Sequence, residues 1–342
     1  MSILHTSDLH LRSVGDERWN ALEALIERAN EEGVLALTIA GDLFDRNVDA
    51  EQLRPDLRSI FSGNPFRVVI VPGNHDEQAF RSGIHFGDNV SLITDLEHPV
   101  VLGDQKVRLW GLPYEDLEAE EVYERVRSVG DSLTEPDQWL DALMYHGQLV
   151  HRDYRNEGFG EEGSGKYMPL RLDFLDGTGL DYVLAGHYHS GVRTHSYRDG
   201  TFLYPGSPVP VTRTETGPRR YLLVEDRDRY EHRELDVPYH ESLRVVLRPD
   251  DEESPLERVQ KRLNALEDKA KPLLTVEGFF EGGSIGMSES ELDAAIRDEL
   301  PDSTDYVFRA RDVGGIRSTD LYADFRDRLS DRDSANGPDE ET

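Results

Sequence analysis

Aspartate and histidine side chains, with one asparagine, follow short apolar runs at several widely separated points of this sequence, and these residue types can bind metal ions. The clearest case is the stretch Leu37–Asp45, in which an apolar run turns at a glycine and presents Asp42. The comparable ends of other runs carry Asp8, His10, Asn74, His75, His146, His187 and His189. If each run is a β-strand, these side chains meet at the carboxyl edge of a sheet, where open α/β sheets bind their ligands.

The ligand types select the class of metal. Imidazole, carboxylate and amide oxygen without thiolate suit manganese, iron or zinc, whereas magnesium and calcium prefer all-oxygen shells. We assign Asp42 as a bridge, because two ions about 3.5–4 Å apart need a shared carboxylate. The other ligands divide into two sets, which are Asp8, His10 and His189 for one ion and Asn74, His146 and His187 for the second.

A centre of this kind predicts phosphoester hydrolysis. Two divalent ions against two aspartates leave a positive site that can hold a phosphate, and such ions activate water for in-line attack on phosphorus. His75 lies beside a ligand but is left over, so it is the candidate general acid for the leaving oxygen. Each motif alone has a plainer explanation, such as a turn or a core histidine. Their shared setting at strand ends favours the metal centre.

The composition indicates a salt-adapted cytoplasmic protein. Asp and Glu total 69 against 38 Lys and Arg, and only five of the basic residues are lysine. At about 1 M salt the Debye length is roughly 3 Å, which screens the self-repulsion of such a surface. The acidity therefore points to a halophilic habitat and does not exclude nucleic acid. No long apolar run and no signal-peptide pattern occurs, so we expect no membrane contact, and the lack of cysteine excludes disulfides.

Apolar periodicity predicts a βαβαβ alternation at the start of the chain, and hence parallel strands with right-handed crossovers. The predicted strands span 2–7, 34–40 and 66–71, and the helices span 16–30 and 49–61. Pro55 is a weakness of the second helix. Further on, the pattern predicts a hairpin at 100–111, a helix at 115–128, strands at 142–145 and 181–185, and short strands to 237.

The character of the sequence changes after Pro238, and we predict a domain boundary there. Residues 1–238 form the first domain, and residues 239–330 form a small α+β domain. Its predicted strands are 243–247, 272–280 and 305–310, and its predicted helices are 254–269 and 288–299. The glycine-rich stretch 155–166 is predicted as a mobile loop, and residues 331–342 as a disordered acidic tail.

Taken together, the motifs resemble those of the calcineurin-like metallophosphoesterase superfamily. They are Asp8-x-His10, Gly41-Asp42-x-x-Asp45, Gly73-Asn74-His75-Asp76, His146-Gly147 and Gly186-His187-x-His189. This resemblance spans residues 1 to about 210 and implies a four-layer α/β/β/α sandwich with two metal ions on the ligands named above. Protein phosphatases of the superfamily have Arg-Gly after the second aspartate and Glu after Asn-His. This chain has Arg46-Asn47 and Asp76, which argues against that subgroup.

Within the superfamily, three stretches are similar to the SbcD-type exonucleases of DNA double-strand-break repair. They are His5–Leu11, Ala40–Arg46 and Val71–Asp76. Tyr204-Pro205-Gly206-Ser207 also resembles that family's sequence after the last histidines, and residues 240–315 resemble its capping domain. The resemblance implies a manganese-dependent homodimer that acts on DNA ends, removes nucleotides from 3′ ends and cuts single strands. It also implies a partner ATPase of the coiled-coil SMC type.

Two alternatives stay open on the sequence. The same scaffold could be a metal-dependent phosphodiesterase or phosphatase that acts on a small phosphoester. A metal-free scaffold that only binds DNA ends or a partner is a third hypothesis, which the complete set of competent ligands disfavours. Four arginines near the motifs could contact phosphates or could belong to the arginine-rich surface, and these are Arg12, Arg46, Arg193 and Arg213.

Overall fold

The computed structural model describes residues 2–46, 49–80, 85–134, 138–150 and 167–317, together with Thr319, Asp324 and Arg328. The chain divides into two compact units, Met1–His240 and Glu241–Thr342. The predicted loop at 155–166 and the predicted tail at 331–342 lie outside the described residues. In the described part of the chain, no helix combines the length and apolar character that a bilayer crossing requires.

In the described residues, the first unit contains most of the strands and three α-helices. The strands are β1 (Ile3–Thr6), β2 (Ala36–Ala40), β3 (Arg67–Val71), β4 (Val90–Leu92), β5 (Val100–Leu102), β6 (Val107–Leu112), β7 (Leu140–His146), β8 (Leu149–Val150), β9 (Leu170–Arg171), β10 (Tyr182–Gly186), β11 (Arg193–Ser196), β12 (Thr201–Tyr204), β13 (Arg220–Val224) and β14 (Tyr230–Glu234). The helices are α1 (Glu17–Glu31), α2 (Asp49–Phe61) and α3 (Ala119–Ser132), with 3-10 turns at Gly103–Gln105 and Leu172–Leu175.

Two six-stranded sheets form the framework of this unit. Their strand orders are β14-β13-β1-β2-β3-β4 and β11-β12-β10-β7-β6-β5. Strands β1 to β4 are parallel to one another, and so are β6, β7, β10 and β12. The remaining neighbours pair antiparallel, and these pairs are β1 with β13, β13 with β14, β11 with β12, and β5 with β6. The parallel strands of each sheet therefore all end at the same edge of that sheet.

Apolar clusters on both faces of the sheets produce the layers. Successive residues of β2 face opposite sides, because Ala36 joins the cluster between the sheets while Leu37 joins the cluster that includes α1 and α2. The second sheet has its own outer cluster, to which α3 contributes Val122 and Val126. This confirms the four-layer α/β/β/α sandwich that the motif resemblance implied.

The helices follow local signals that the sequence shows only in part. Asp16 accepts a hydrogen bond from the Trp19 amide at 2.8 Å and begins α1, as the periodicity predicts. Helix α2 continues through Pro55, which lies on its exposed face. Helix α3 begins at Ala119 and not at 115, because Glu118 and Glu121 form a capping box there.

The second unit is a small α+β fold. Its elements are β15 (Tyr239–Leu247), α4 (Pro255–Leu263), β16 (Ala270–Phe280), α5 (Gly282–Ile285), α6 (Glu289–Asp298), β17 (Asp305–Asp312) and α7 (Gly314–Arg317). The sheet order is β15-β16-β17, and one apolar cluster contains residues of all three strands with Val259 of α4 and Ile296 of α6. Helix α4 ends at Leu263, so the predicted extension of this helix to residue 269 is wrong.

Candidate metal centre

The ends of five parallel strands bring the predicted site residues to one place. Asp8 and His10 follow β1, Asp42 follows β2, Asn74 and His75 follow β3, His146 ends β7, and His187 and His189 follow β10. Both sheets contribute, because β1 to β3 belong to the first sheet and β7 and β10 belong to the second. The centre therefore depends on the packing of the two sheets against each other.

The backbone turns sharply at several of these residues. Positive φ angles, which are uncommon outside glycine, occur at Asp8 (56°), His10 (48°), Asp42 (50°) and His187 (93°). Each such conformation costs on the order of 1–3 kcal/mol and persists only where surrounding contacts maintain it. Four of the six non-glycine residues with positive φ in the described part of the chain thus belong to the predicted site, and such a concentration is typical of a functional site.

One group of ligands is compact and buried. Asp8, His10, Asp42 and His189 each offer a ligand atom, and these atoms lie within 4.8 Å of one another. Nε2 of His189 lies 3.4 Å from Oδ1 of Asp8 and 3.4 Å from Nε2 of His10. Three of these residues are the set that the sequence predicts for one ion, and the fourth, Asp42, is the predicted bridge.

A second group of predicted ligands also contacts Asp42. Nε2 of His146 lies 2.9 Å from Oδ1 of Asn74 and 3.3 Å from Oδ2 of Asp42. The ring of His187 lies 5.4 Å from the ring of His146, measured between centroids. Nδ1 of His146 lies 2.9 Å from the carbonyl oxygen of Ala40, which assigns its proton to Nδ1 and turns Nε2 toward the centre.

The donor set fits divalent ions. Among the described residues, Oδ2 of Asp42 and Nδ1 of His10 are buried polar atoms without a hydrogen-bond partner. A buried carboxylate oxygen in that position is costly unless a cation neutralises it. Two divalent ions bound by these side chains would supply Lewis acidity and an activated water for attack on phosphorus.

Burial and neighbouring charges move the pKa values of the ligands in opposite directions. Burial lowers the pKa of His10 to about 4, so this ring is neutral and able to coordinate. Burial alone would raise the pKa of Asp8, but the hydrogen bond and charge of His189 hold it at about 2. Burial opposes protonation of His146 and His189, yet Asp42 and Asp8 respectively raise their pKa values to about 10. The centre thus attracts positive charge, and cation binding must displace imidazole protons.

Glycines beside the ligands allow this close packing. A Cβ atom at Gly41 would lie 2.0 Å from Nδ1 of His146, and one at Gly73 would lie 2.1 Å from Oδ1 of Asp42. Both approaches are far shorter than any normal contact. The glycines that precede these ligands in the sequence therefore serve to bring the strand ends together.

His75 is placed apart from the buried ligands. Its backbone amide donates to Oδ1 of Asp42 at 3.0 Å, and its ring centroid lies 4.9 Å from that of His10. Nδ1 lies 3.0 Å from the carbonyl oxygen of Asp45, which assigns a proton to Nδ1. The ring is only partly buried. When the ring is protonated it can offer its Nε2 proton to a leaving group, as the predicted general acid must.

The histidines after β10 reach the centre from a turn and not from the strand itself. Alternation along a strand would place both rings on one face, but β10 ends at Gly186 and the two residues lie beyond it. The positive φ of His187 turns the chain, so that His187 lies beside His146 while His189 lies beside Asp8. The two rings therefore face different ligand sets.

Comparison with known proteins agrees with this geometry. The sequence profile of the family described as calcineurin-like phosphoesterase matches residues 1–191, which is more than half of the chain. The chain belongs to the calcineurin-like phosphoesterase family. This assignment confirms the superfamily resemblance of the motifs and makes a metal-dependent phosphoester hydrolase the supported class of activity.

The relatives of this phosphoesterase are distant. It is 25% identical over 247 residues to the uncharacterized metallophosphoesterase YhaO of Bacillus subtilis (strain 168), covering 66% of this chain and 57% of that protein. It is also 25% identical over 279 residues to the DNA double-strand break repair protein Mre11 of Methanopyrus kandleri, covering 72% and 59%. The chain thus spans less than two thirds of either relative.

The solved structures that align with this chain also have low sequence identity to it. TT1561 of Thermus thermophilus aligns with a TM-score of 0.45 and 16% identity, over 68% of this chain and 98% of that one. The purple acid phosphatase PPD1 from yellow lupin (Lupinus luteus) seeds aligns with a TM-score of 0.46 and 14% identity, over 70% and 52%. At these scores the similarity carries no conclusion about substrate.

The phosphoesterase also uses supporting carboxylates to which the sequence argument gives no role. Asp45 lies in the motif but is not a predicted ligand; its Oδ1 accepts from Arg18 at 2.8 Å and lies 3.7 Å from Nδ1 of His10. Asp76 accepts the amides of Gly73 at 2.8 Å and Phe44 at 3.1 Å, which ties two ligand loops together. Burial and the charge of Asp42 raise the pKa of Asp76 to about 7.

Three of the arginines near the motifs, Arg12, Arg46 and Arg193, have the following protein partners. Arg12 pairs with Asp45 at 3.0 Å, and Arg46 pairs with Asp49 at 3.2 Å. The guanidinium of Arg193 lies 5.4 Å from the ring centroid of Tyr188. These contacts favour the structural explanation for the three arginines over direct phosphate binding.

Proposed function

We propose that this phosphoesterase is a DNA nuclease of double-strand-break repair, with 3′-to-5′ exonuclease and single-strand endonuclease activity. One observation carries the proposal. The three stretches similar to SbcD-type nucleases, His5–Leu11, Ala40–Arg46 and Val71–Asp76, are the stretches that supply the ligands of the first sheet and His75. The similar protein of M. kandleri, which is named a DNA double-strand break repair protein, supports the same substrate.

We propose manganese as the metal. The centre combines four imidazoles with two carboxylates and an amide oxygen, a mixture that suits manganese better than magnesium. In this proposal Asp42 would help to hold both ions, and the ring of His75 would donate a proton to the 3′ oxygen that leaves. The chain's own contribution is to hold the ligands in fixed tautomers and to place a partly exposed proton donor beside a buried centre.

The resemblance extends the proposal to partners and setting. We propose a homodimer that acts on DNA ends with a coiled-coil ATPase of the SMC type, and we propose that residues 239–330 contribute as a capping domain. The excess of Asp and Glu over Lys and Arg, 69 against 38, supports a cytoplasm of high salt as its environment.

The test is digestion of end-labelled DNA by the purified protein at high salt with Mn²⁺. The expected result is stepwise shortening of a 3′-recessed duplex from its 3′ end and cutting of a hairpin. A label at the 5′ end reports a ladder of products if degradation starts at the 3′ end. A protein that binds two Mn²⁺ ions and leaves every DNA substrate intact would refute the nuclease proposal.

A second candidate is a phosphodiesterase or phosphatase for a small phosphoester. A cavity of about 510 Å³ lies beside the loop after β3 and is lined in part by Pro72, Phe80 and Tyr114. Its volume is in the range of small-molecule sites. Its carboxylates, Glu77 and Glu115, disfavour a polyanionic strand in that cavity. Turnover of bis-p-nitrophenyl phosphate without cleavage of DNA would favour this candidate.

A further inference from the structure

A buried carboxylate that is not a predicted ligand contacts His189, on the ring nitrogen that faces away from Asp8 and His10. Glu215 is fully buried, and its Oε1 lies 3.3 Å from Nδ1 of His189. Four further donors surround the carboxylate, and these are the amides of Val211 (2.8 Å) and Thr212 (3.1 Å) and the hydroxyls of Ser207 (3.1 Å) and Thr212 (2.9 Å). Every neighbour in this set can donate, so the carboxylate acts only as an acceptor.

This acceptor determines what the ring of His189 can do. Because Glu215 accepts, Nδ1 of His189 must carry a hydrogen, and coordination falls to Nε2. Nε2 is the atom that lies 3.4 Å from Oδ1 of Asp8 and 3.4 Å from Nε2 of His10. The contact therefore assigns the tautomer and also the direction of the ring.

The loop that carries Glu215 is held against the backbone of His189. The amide of Ser207 donates to the carbonyl oxygen of His189 at 3.1 Å. The buried guanidinium of Arg219 donates to the carbonyl oxygens of His189 at 2.6 Å and Ser207 at 2.8 Å. Ser207 belongs to the Tyr204-Pro205-Gly206-Ser207 stretch, which supplies no ligand. The contacts of Ser207 give that stretch a structural role, which is to hold the loop of Glu215 against His189.

We propose that Glu215 is a positioning residue for the ion bound by His189, and that Ser207 and Arg219 hold Glu215 and His189 together. The proposal rests on the metal-dependent hydrolysis proposed above, but it concerns metal binding and not the choice of substrate. Carboxylates that orient a histidine ligand typically change metal affinity by about 10- to 100-fold when they are replaced. We expect a loss of that size for this one ion.

The decisive variant is Glu215→Gln. Glutamine keeps the size of the side chain but places an NH₂ group among hydrogen-bond donors, so it cannot satisfy both His189 and the Ser207–Thr212 loop. Titration of the metal-free protein with Mn²⁺, followed by electron paramagnetic resonance, should show one ion bound about 10- to 100-fold more weakly and the other changed much less. Glu27→Gln, the same change on an exposed side chain of α1, is the matched control and should bind both ions within about 3-fold of wild type.

A spectroscopic measurement makes the test independent of how the variant folds. In wild-type protein loaded with diamagnetic Zn²⁺, ¹⁵N spectra of His189 should show a proton on Nδ1 and none on Nε2. The opposite assignment in wild type, or a Glu215→Gln protein that binds both Mn²⁺ ions with wild-type affinity, would overturn the proposal. Neither measurement uses DNA, so a protein that binds two ions but cuts no DNA would refute the nuclease and leave the role of Glu215 intact.

Discussion

Oδ2 of Asp42 lies 3.3 Å from Nε2 of His146, although Asp42 follows a strand of one sheet and His146 ends a strand of the other. The same oxygen lies 3.7 Å from Nε2 of His10. Asp42 therefore contacts one member of each predicted ligand set. These two contacts are the ones expected if Asp42 is the predicted bridge between two ions.

Replacing Asp42 by alanine should remove the pairing of the metal ions. We expect at most one tightly bound Mn²⁺ per chain, because the shared carboxylate balances both charges. Metal analysis after dialysis against Mn²⁺, together with the loss of spin coupling between the ions, measures this directly. Asp88→Asn, on a fully exposed side chain, is the control and should bind two ions. Two coupled ions in the Asp42→Ala protein would show that another residue bridges them.

Replacing His75 by alanine should leave the metal ions in place and slow the chemistry. His75 contacts the centre through its backbone amide, which the substitution keeps, while the ring that supplies the proton is lost. We expect kcat to fall by roughly 10²- to 10⁴-fold, the usual contribution of a general acid. Mn²⁺ stoichiometry and phosphodiester turnover are measured on the same sample.

His98→Ala is the matched control for that experiment, since the His98 ring is 80% exposed and far from the motifs in sequence. It should keep wild-type turnover. If His75→Ala and Asp42→Ala lost metal equally, the division of roles between the two residues would be wrong.

Replacing Gly41 by alanine should destroy the centre, whereas the same change at Gly63 should be mild. Both glycines have φ of +82°, but a Cβ at Gly41 would lie 2.0 Å from Nδ1 of His146, and one at Gly63 would meet nothing within 4 Å. Gly63→Ala therefore measures the cost of the left-handed backbone alone, roughly 1–2 kcal/mol.

We expect Gly41→Ala to exceed that cost clearly in urea denaturation and to lose Mn²⁺ binding in calorimetry, because His146 has to move. Equal destabilisation in the two variants, with Mn²⁺ binding intact in both, would contradict the packing argument.

Acid should destabilise the fold through His5. This buried ring joins the two sheets, with Nδ1 3.0 Å from Oγ1 of Thr38 and Nε2 3.2 Å from the carbonyl oxygen of Ala185. Burial lowers the pKa of His5 to about 4. The unfolded chain therefore takes up this proton at higher pH than the folded chain, and the free energy of unfolding falls as the pH drops from about 6.5 to 4.

The expected loss through His5 is about 2–3 kcal/mol between pH 7 and 4.5, from a shift of roughly 2.5 pH units. Urea denaturation of wild type and His5→Gln at constant high salt measures it. The variant should lose less stability over this interval than wild type, whatever its stability at pH 7. Parallel pH profiles for the two proteins would show that His5 is not the group responsible.

Several parts of the fold were predictable because they depend on neighbours in sequence. Trp19, Leu22 and Leu25 recur at helical spacing, and α1 has its apolar face on those residues. The glycine before Asp42 signals a tight strand end, and the structure uses it for close packing. The start of α3 was not predictable from periodicity alone, because a capping box between Glu118 and Glu121 marks the first residue of the helix.

Supporting residues were harder to find. Glu215 follows no apolar run and belongs to no motif, and its role comes from a loop that folds back to His189. In the sequence, nothing distinguishes His5 from any other histidine in a strand. Only the packing of the two sheets places it against Ala185. Sequence signals of this kind are absent because the contacts join segments that are remote along the chain.

By itself, the sequence determined which side chains stand at strand ends, since alternating apolar runs and glycines are local properties of the chain. It thereby indicated the ligands and the class of chemistry. Only the tertiary structure decided that Asp42 lies close to both His10 and His146, which way the chain turns at His187, and which carboxylate lies against His189. These features depend on backbone strain and on contacts between two sheets, and both are maintained by the packed fold and not by any short segment.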